Sequence, residues 1–137
     1  MFKRIMAPVD LHHADDLTPA LDLAAELAKL HGAEIVYVGV GSNVPGDLGR
    51  TPEAYAQRLE AFARERSEKT GVQGRAHPAL SHDPTSDLDK RLLKAVEETG
   101  ADLVVMQTHR PGWADHWFAS HGGKLASHAP VSVLLVR

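Results

Sequence analysis

The sequence predicts an α/β fold, a doubly wound five-stranded parallel sheet with helices on both faces. Three observations predict it. Strand-like segments alternate with segments of helical periodicity along the whole chain. The strand segments are near-continuous apolar runs, as expected where both faces of a sheet are covered. The order is β-α-β-α-β-α-β-α-β, and right-handed crossovers leave doubly wound arrangements as the solution.

Residues 3–9 (Lys-Arg-Ile-Met-Ala-Pro-Val) read as a short buried strand ending at Asp10. Residues 11–16 read as a polar connection. Leu17, Leu21, Ala24, Leu27 and His31 then recur at helical spacing, with Thr18-Pro19 as the start and Gly32 as the stop. Residues 34–41 are β-branched and aromatic and form the second strand. Residues 42–50 are a Gly/Pro/Asn loop. Thr51-Pro52-Glu53 opens a helix with a capping side chain, a proline and an early acid. Tyr55, Leu59 and Phe62 make its apolar stripe, and the charges from Arg58 to Lys69, Arg66 among them, cover the other faces.

Residues 72–80 alternate more weakly and suit a sheet edge, because Pro78 is costly in a central strand. Asp83-Pro84-Thr85 starts the next helix; Leu88, Leu92, Leu93 and Val96 are its stripe, and Gly100 ends it. Residues 101–107 form a fully buried fourth strand. Residues 117–128 form the last helix, which Gly122-Gly123 weakens by roughly 1 kcal/mol per glycine. Residues 131–137 close the sheet.

Composition bounds the function. The chain has 137 residues, 43% of them apolar and 24% charged, which fits a single globular domain over residues 1–137. The absence of cysteine excludes disulfides, thiol chemistry and Cys-ligated metals. The net charge of −3 and the lack of a basic stripe argue against a nucleic-acid partner. The apolar run after Lys3-Arg4 is too short for a signal peptide or membrane span, so the expectation is a cytoplasmic protein with no membrane partner.

Ligands of such sheets sit beyond the strand C-termini at the topological switch point. If the first and fourth strands are neighbours, the loops beginning at Asp10 and Gln107 meet there. The nine histidines include His12-His13, His82-Asp83 and His109 with His116, but none has a recognised metal-ligand spacing. No metal site is expected; pH sensitivity of the surface is the better reading. Gly39-x-Gly41 with Gly46 and Gly49 is a weak match to a nucleotide loop, since it follows the second strand and opens no helix at the right spacing, and reads as a flexible loop. Trp113 and Trp117 flank the presumed ligand loop and read as core or interface packing. No nucleophile–base–acid set is apparent, and no G-x-S-x-G elbow precedes Ser120, so catalysis has no positive support.

Three segments carry a family likeness. Ile5-Met6-Ala7-Pro8-Val9-Asp10 resembles the opening strand of universal stress proteins, which typically reads I-L-V-P-V-D. Residues 100–106 (Gly-Ala-Asp-Leu-Val-Val-Met) resemble their entry to the fourth strand, and residues 128–137 resemble their last strand. The likeness covers essentially the whole chain in order and spacing.

The resemblance implies strand order 3-2-1-4-5 in an adenine nucleotide alpha-hydrolase-like arrangement. It implies a homodimer, commonly through the last strand, here Val131 to Val136. In many members it implies binding of ATP or AMP, with or without Mg2+. Nucleotide-binding members carry G-x-x-G, nine residues, then G-S or G-T. This chain departs from that pattern: the aligned positions are Gln107, Arg110 and Ala119-Ser120, and the loop is one residue shorter. Thr108-His109-Arg110-Pro111 with Ala119-Ser120-His121 resembles a branch of the family that carries S-H-R-P and then L-G-S-N, some of whose members bind nucleotides.

The cofactor-binding set the resemblance implies is Pro8, Asp10, Val40, Met106, Gln107, Thr108, His109, Arg110, Ala119, Ser120 and His121. Asp10 would bond the ribose or adenine, or else form a cap or turn. Pro8 and Val40 would wall the adenine, or else pack in the core. Met106 would meet the base through its backbone, or else be a buried strand residue. His109 and Arg110 would contact phosphate, or else sit in an exposed loop. Ser120 would start the last helix and bind phosphate or cap it; His121 would add a donor or stay at the surface. The functions in play are a nucleotide-binding stress or signalling module, a homodimeric protein-interaction module without nucleotide, and at most a slow ATP hydrolase.

Overall fold

The computed structural model of the chain describes residues 1–42, 51–81, 84–108 and 117–137, with the backbone alone for 41–42, 80–81, 84–87 and 117–121. The strands are β1 (Arg4–Val9), β2 (Glu34–Ser42), β3 (Gly74–Ser81), β4 (Leu103–Gln107) and β5 (Ser132–Val136). The helices are α1 (Thr18–His31), α2 (Pro52–Thr70), α3 (Pro84–Thr99) and α4 (Trp117–His128). The sheet has five parallel strands in the order β3-β2-β1-β4-β5, as the resemblance implied.

Strand pleat decides which side chains meet which helices, since neighbours alternate faces. Tyr37 stacks edge-on against Phe62 of α2, so Ala7, Tyr37 and Gly39 share the α1/α2 face. Thr108, by contrast, packs against Gly122 of α4, which places Met106 on the α3/α4 face. Ile5, Met6, Ile35, Val36, Val38, Val104 and Met106 are all buried, and this double coverage explains their continuous apolar runs. Burying each such side chain contributes about 1.5–3 kcal/mol.

Two segments differ from expectation. Residues 11–16, read as a polar connection, hold more order than that reading specified: Leu11–Leu17 is a 3₁₀ helix, broken at His13. Asp10 nucleates it, its carboxylate accepting from the His12 amide at 3.0 Å and its carbonyl from the His13 amide at 3.0 Å. Arg66 is not on the solvent face of α2. It is 6% exposed and donates through a terminal guanidinium nitrogen to the Asp22 carboxylate of α1 at 3.0 Å. Residues 43–50, which include Gly46 and Gly49, lie outside the described residues, as do His82-Asp83, Trp113 and His116.

Pairing between the strands is uneven along their length. β1 and β2 stay paired from Arg4↔Glu34 to Val9↔Gly39. β1 and β4 pair only at Ile5↔Leu103 and Met6↔Val104. In a parallel ladder successive residues bond to opposite neighbours. The Lys3 carbonyl accepts from Glu34 of β2 and the Arg4 carbonyl from Asp102 beside β4. By that alternation Pro8 faces β4, and it has no amide hydrogen to donate. The β1/β4 ladder therefore stops below Pro8, at the switch point of the sheet.

Candidate functional site: the crevice at the β1 and β4 exits

Below the crevice, at the N-terminal end of the sheet, β1 and β4 are clamped. The Asp102 carboxylate accepts from the Lys3 amide at 2.9 Å and the Arg4 amide at 3.1 Å. At the other end the two strands exit without pairing, and Asp10 stands where β1 ends. Its side chain is buried, with one carboxylate oxygen on the His12 amide and the other 3.0 Å from His13 Nδ1.

The second wall of the crevice comes from β2. Val40 is buried there. Its carbonyl accepts from the Tyr55 phenol of α2 at 3.1 Å. Gly39 makes this approach possible: a Cβ at that position would stand 2.8 Å from the Tyr55 phenol oxygen and 2.7 Å from a Leu59 methyl. Gly39 and Gly41 thus belong to β2 rather than to a flexible loop. Burial pushes the Tyr55 phenol well above its ordinary range, and the nearby Asp10 charge pushes the same way. Tyr55 therefore stays a neutral donor. The sequence reading placed it in the apolar stripe; the glycine inside a strand was the signal that a bulky polar tip approaches the backbone.

The third wall is the β4 exit. Met106 is fully buried on the α3/α4 face. Gln107 lies on the opposite face, and its side chain is doubly held. Its Oε1 accepts from the Ala20 amide in the first turn of α1 at 3.1 Å, and its Nε2 donates to the Val136 carbonyl of β5 at 3.3 Å. The residue before α1, Leu17, provides no side-chain cap, so Gln107 does that work from 87 positions away. Thr108 bonds the same Val136 carbonyl through its amide at 2.9 Å and its hydroxyl at 3.3 Å. Gly122 of α4 lies against it; a Cβ there would come within 2.4 Å of the Thr108 methyl.

The structure thus brings Pro8, Asp10, Val40, Met106 and Thr108 to the C-terminal end of the sheet, with Gln107 turned to α1. His109 and Arg110 lie outside the described residues, and Ala119, Ser120 and His121 are described in backbone only. Ser120 is the fourth residue of α4, one turn inside the helix rather than at its cap. Two surface clefts of about 510 and 480 Å³ lie elsewhere. One is by Met1, Phe2 and Pro130 and the other by α2 and β3. Among the described residues no group of three His, Cys, Asp or Glu side chains is placed to hold a metal, and no helix is long and apolar enough to cross a membrane.

Solved structures share this architecture. A universal stress protein family member from Burkholderia pseudomallei is 28% identical, with 98% of this chain and 95% of that one covered and a TM-score of 0.69. A universal stress protein from Archaeoglobus fulgidus in complex with dAMP is 21% identical over 100% of this chain and 98% of that one, at a TM-score of 0.64. A family protein from Arabidopsis thaliana with AMP bound is 14% identical over 98% of this chain and 90% of that one, at a TM-score of 0.60. The last two likenesses carry the fold alone. The family model described as Universal stress protein family matches residues 1–137, and the chain belongs to that family.

Proposed function

We propose that the chain is an adenine-nucleotide-binding module, taking ATP or AMP, in stress response or signalling. The observation that carries this reading is the parting of β1 from β4 above Met6↔Val104, with buried Asp10 at its mouth and Val40 beside it. In this reading a purine would lie against the apolar groups of Pro8, Val40 and Met106, and the polar groups at the rim would meet its sugar. Phosphates would then extend toward Thr108, His109, Arg110 and the N-terminal end of α4, whose first amides favour anions, with Ser120 and His121 one turn further in. Complexes with dAMP and AMP on the same fold make the ligand class reasonable. A thermal-shift screen of adenine and guanine nucleotides, with and without Mg2+, tests the reading. Adenine nucleotides should raise the midpoint, because a ligand of the native state stabilises it by mass action.

A second reading has its own observation. Gln107 stands at the first glycine position of the nucleotide-binding pattern, and its amide is committed to Ala20 and Val136. A homodimeric interaction module without nucleotide is the function that arrangement favours. In either reading β5 would pair with a second copy. It is an edge strand bonded to β4 alone among the described residues, and Leu134 on it is 37% exposed. Light scattering at micromolar concentration should give a dimer mass; a stable monomer would contradict this.

A further inference from the structure

The sheet ends in β3 on one side and β5 on the other, each bonded to a single neighbour among the described residues. The two edges are built differently. The Ile35 amide of β2 donates to the Gln73 carbonyl at 3.0 Å, and Ile35 lies opposite Gly74. By the alternation of a parallel ladder, Arg75, His77 and Ala79 bond β2, while Gly74, Ala76, Pro78 and Leu80 turn their backbone groups outward. The Gly74 amide is already taken. It donates to the Ser67 hydroxyl of α2 at 3.0 Å, and that hydroxyl donates in turn to the Ala63 carbonyl at 2.9 Å. Glycine lets the helix come this close: a Cβ at Gly74 would stand 3.0 Å from Ser67 Oγ and 2.7 Å from the Tyr37 ring. Pro78 has no amide hydrogen at all. The outward amides that are left, Ala76 and Leu80, are separated by Pro78, so no neighbouring pair on this edge can donate to a further strand. Ala76 opens onto the cleft of about 480 Å³ that Glu60, Arg64 and Arg75 also line, and charged side chains disfavour an added strand. The β5 edge carries no such blocks. Thr108 donates to the Val136 carbonyl, so Ser132, Leu134 and Val136 face β4, and Val133 and Leu135 face outward with their amides.

We propose that Ser67 and Pro78 close the β3 edge to strand pairing, so that a second copy can extend the sheet at β5 alone and assembly stops at a dimer. The clause on β5 rests on the dimer reading above; the closure of β3 does not. A chain with both edges open would pair at each and grow into longer assemblies.

The test is light scattering of the unmutated chain, Ser67→Ala, Pro78→Thr and the double variant across a range of concentrations, with circular dichroism confirming the fold. The unmutated chain should hold a dimer mass throughout. The double variant, able to donate from every outward position of β3, should grow beyond that mass as concentration rises, and Pro78→Thr should grow less. Amide hydrogen exchange locates the contact. In the unmutated chain Gly74 should exchange slowly and Ala76 fast. Ser67→Ala should make Gly74 fast, and the grown double variant should make Ala76 slow. The inference is overturned by a folded double variant that stays at the unmutated mass, by growth that leaves Ala76 fast, or by an unmutated chain that itself grows beyond a dimer. An Ala76 amide already slow in the unmutated chain overturns it as well, and this measurement decides if the variants do not fold. If the unmutated chain is a monomer, the dimer reading falls, and the double variant should then pair through β3.

Discussion

The Tyr55 phenol donates to the Val40 carbonyl at 3.1 Å, passing over Gly39 to do so. This one bond ties α2 to the end of β2 and fixes a wall of the crevice. Tyr55→Phe removes the donor and leaves a buried carbonyl short of a partner, so a stability loss of about 1–2 kcal/mol is expected in urea unfolding. The phenol is raised above its ordinary value by burial. A raised folded pKa stabilises the native state up to the unfolded value, near about 10, and that contribution is lost as pH rises further. The Tyr37 phenol is raised by burial too, with Arg66 opposing. The chain should therefore lose stability steeply above pH of about 10. Tyr55→Phe should flatten that alkaline limb, and an unchanged limb would contradict the assignment.

Gly122 and Thr108 are a size-matched pair. Gly122→Ala would drive a methyl to 2.4 Å from the Thr108 side-chain methyl, so α4 must shift off β4. A cost of about 1–3 kcal/mol is expected, against a gain in helix propensity of about 1 kcal/mol. Thr108→Ser deletes the obstructing methyl and keeps the hydroxyl. The double variant should recover most of the loss in a double-mutant cycle; additive effects would show that the two residues do not meet.

Gln107 bonds Ala20 with its oxygen and Val136 with its nitrogen. Gln107→Glu keeps an acceptor for the Ala20 amide but turns the donor into a second acceptor facing the Val136 carbonyl. It should unfold more readily than Gln107→Ala, although it is closer in shape, because it buries a charge beside an oxygen. Thermal midpoints of the two variants decide this, and the reverse order would remove Gln107 from the role of distant cap.

Most of the scaffold was legible in the sequence, for reasons that particular residues make plain. Thr51 caps α2 through the Ala54 amide, Pro78 sits on the edge strand β3, and the apolar runs lie where two layers of helix cover the sheet. What was not legible depended on which distant groups would meet. Arg66 looks like any charge on a charged helix; only the fold puts Asp22 of α1 beside it. His13 reads as one of nine histidines until the carboxylate of Asp10 faces it. Pro8 is the instructive case. The rule that proline ends a ladder was applied to Pro78 but applies with more consequence to Pro8, which lies in the central strand and frees β1 from β4. The site residues from His109 to Arg110 lie outside the described residues and stand as expectations.

The central claim is that the opening between the β1 and β4 exits holds an adenine nucleotide. Isothermal titration of the unmutated chain with AMP tests it most directly, alongside Asp10→Ala as the control. The account predicts saturable one-to-one binding per chain that Asp10→Ala weakens at least about tenfold, since the variant loses the group that orders the rim. No heat of binding from AMP or ATP, with a folded chain confirmed in the same sample, would contradict it.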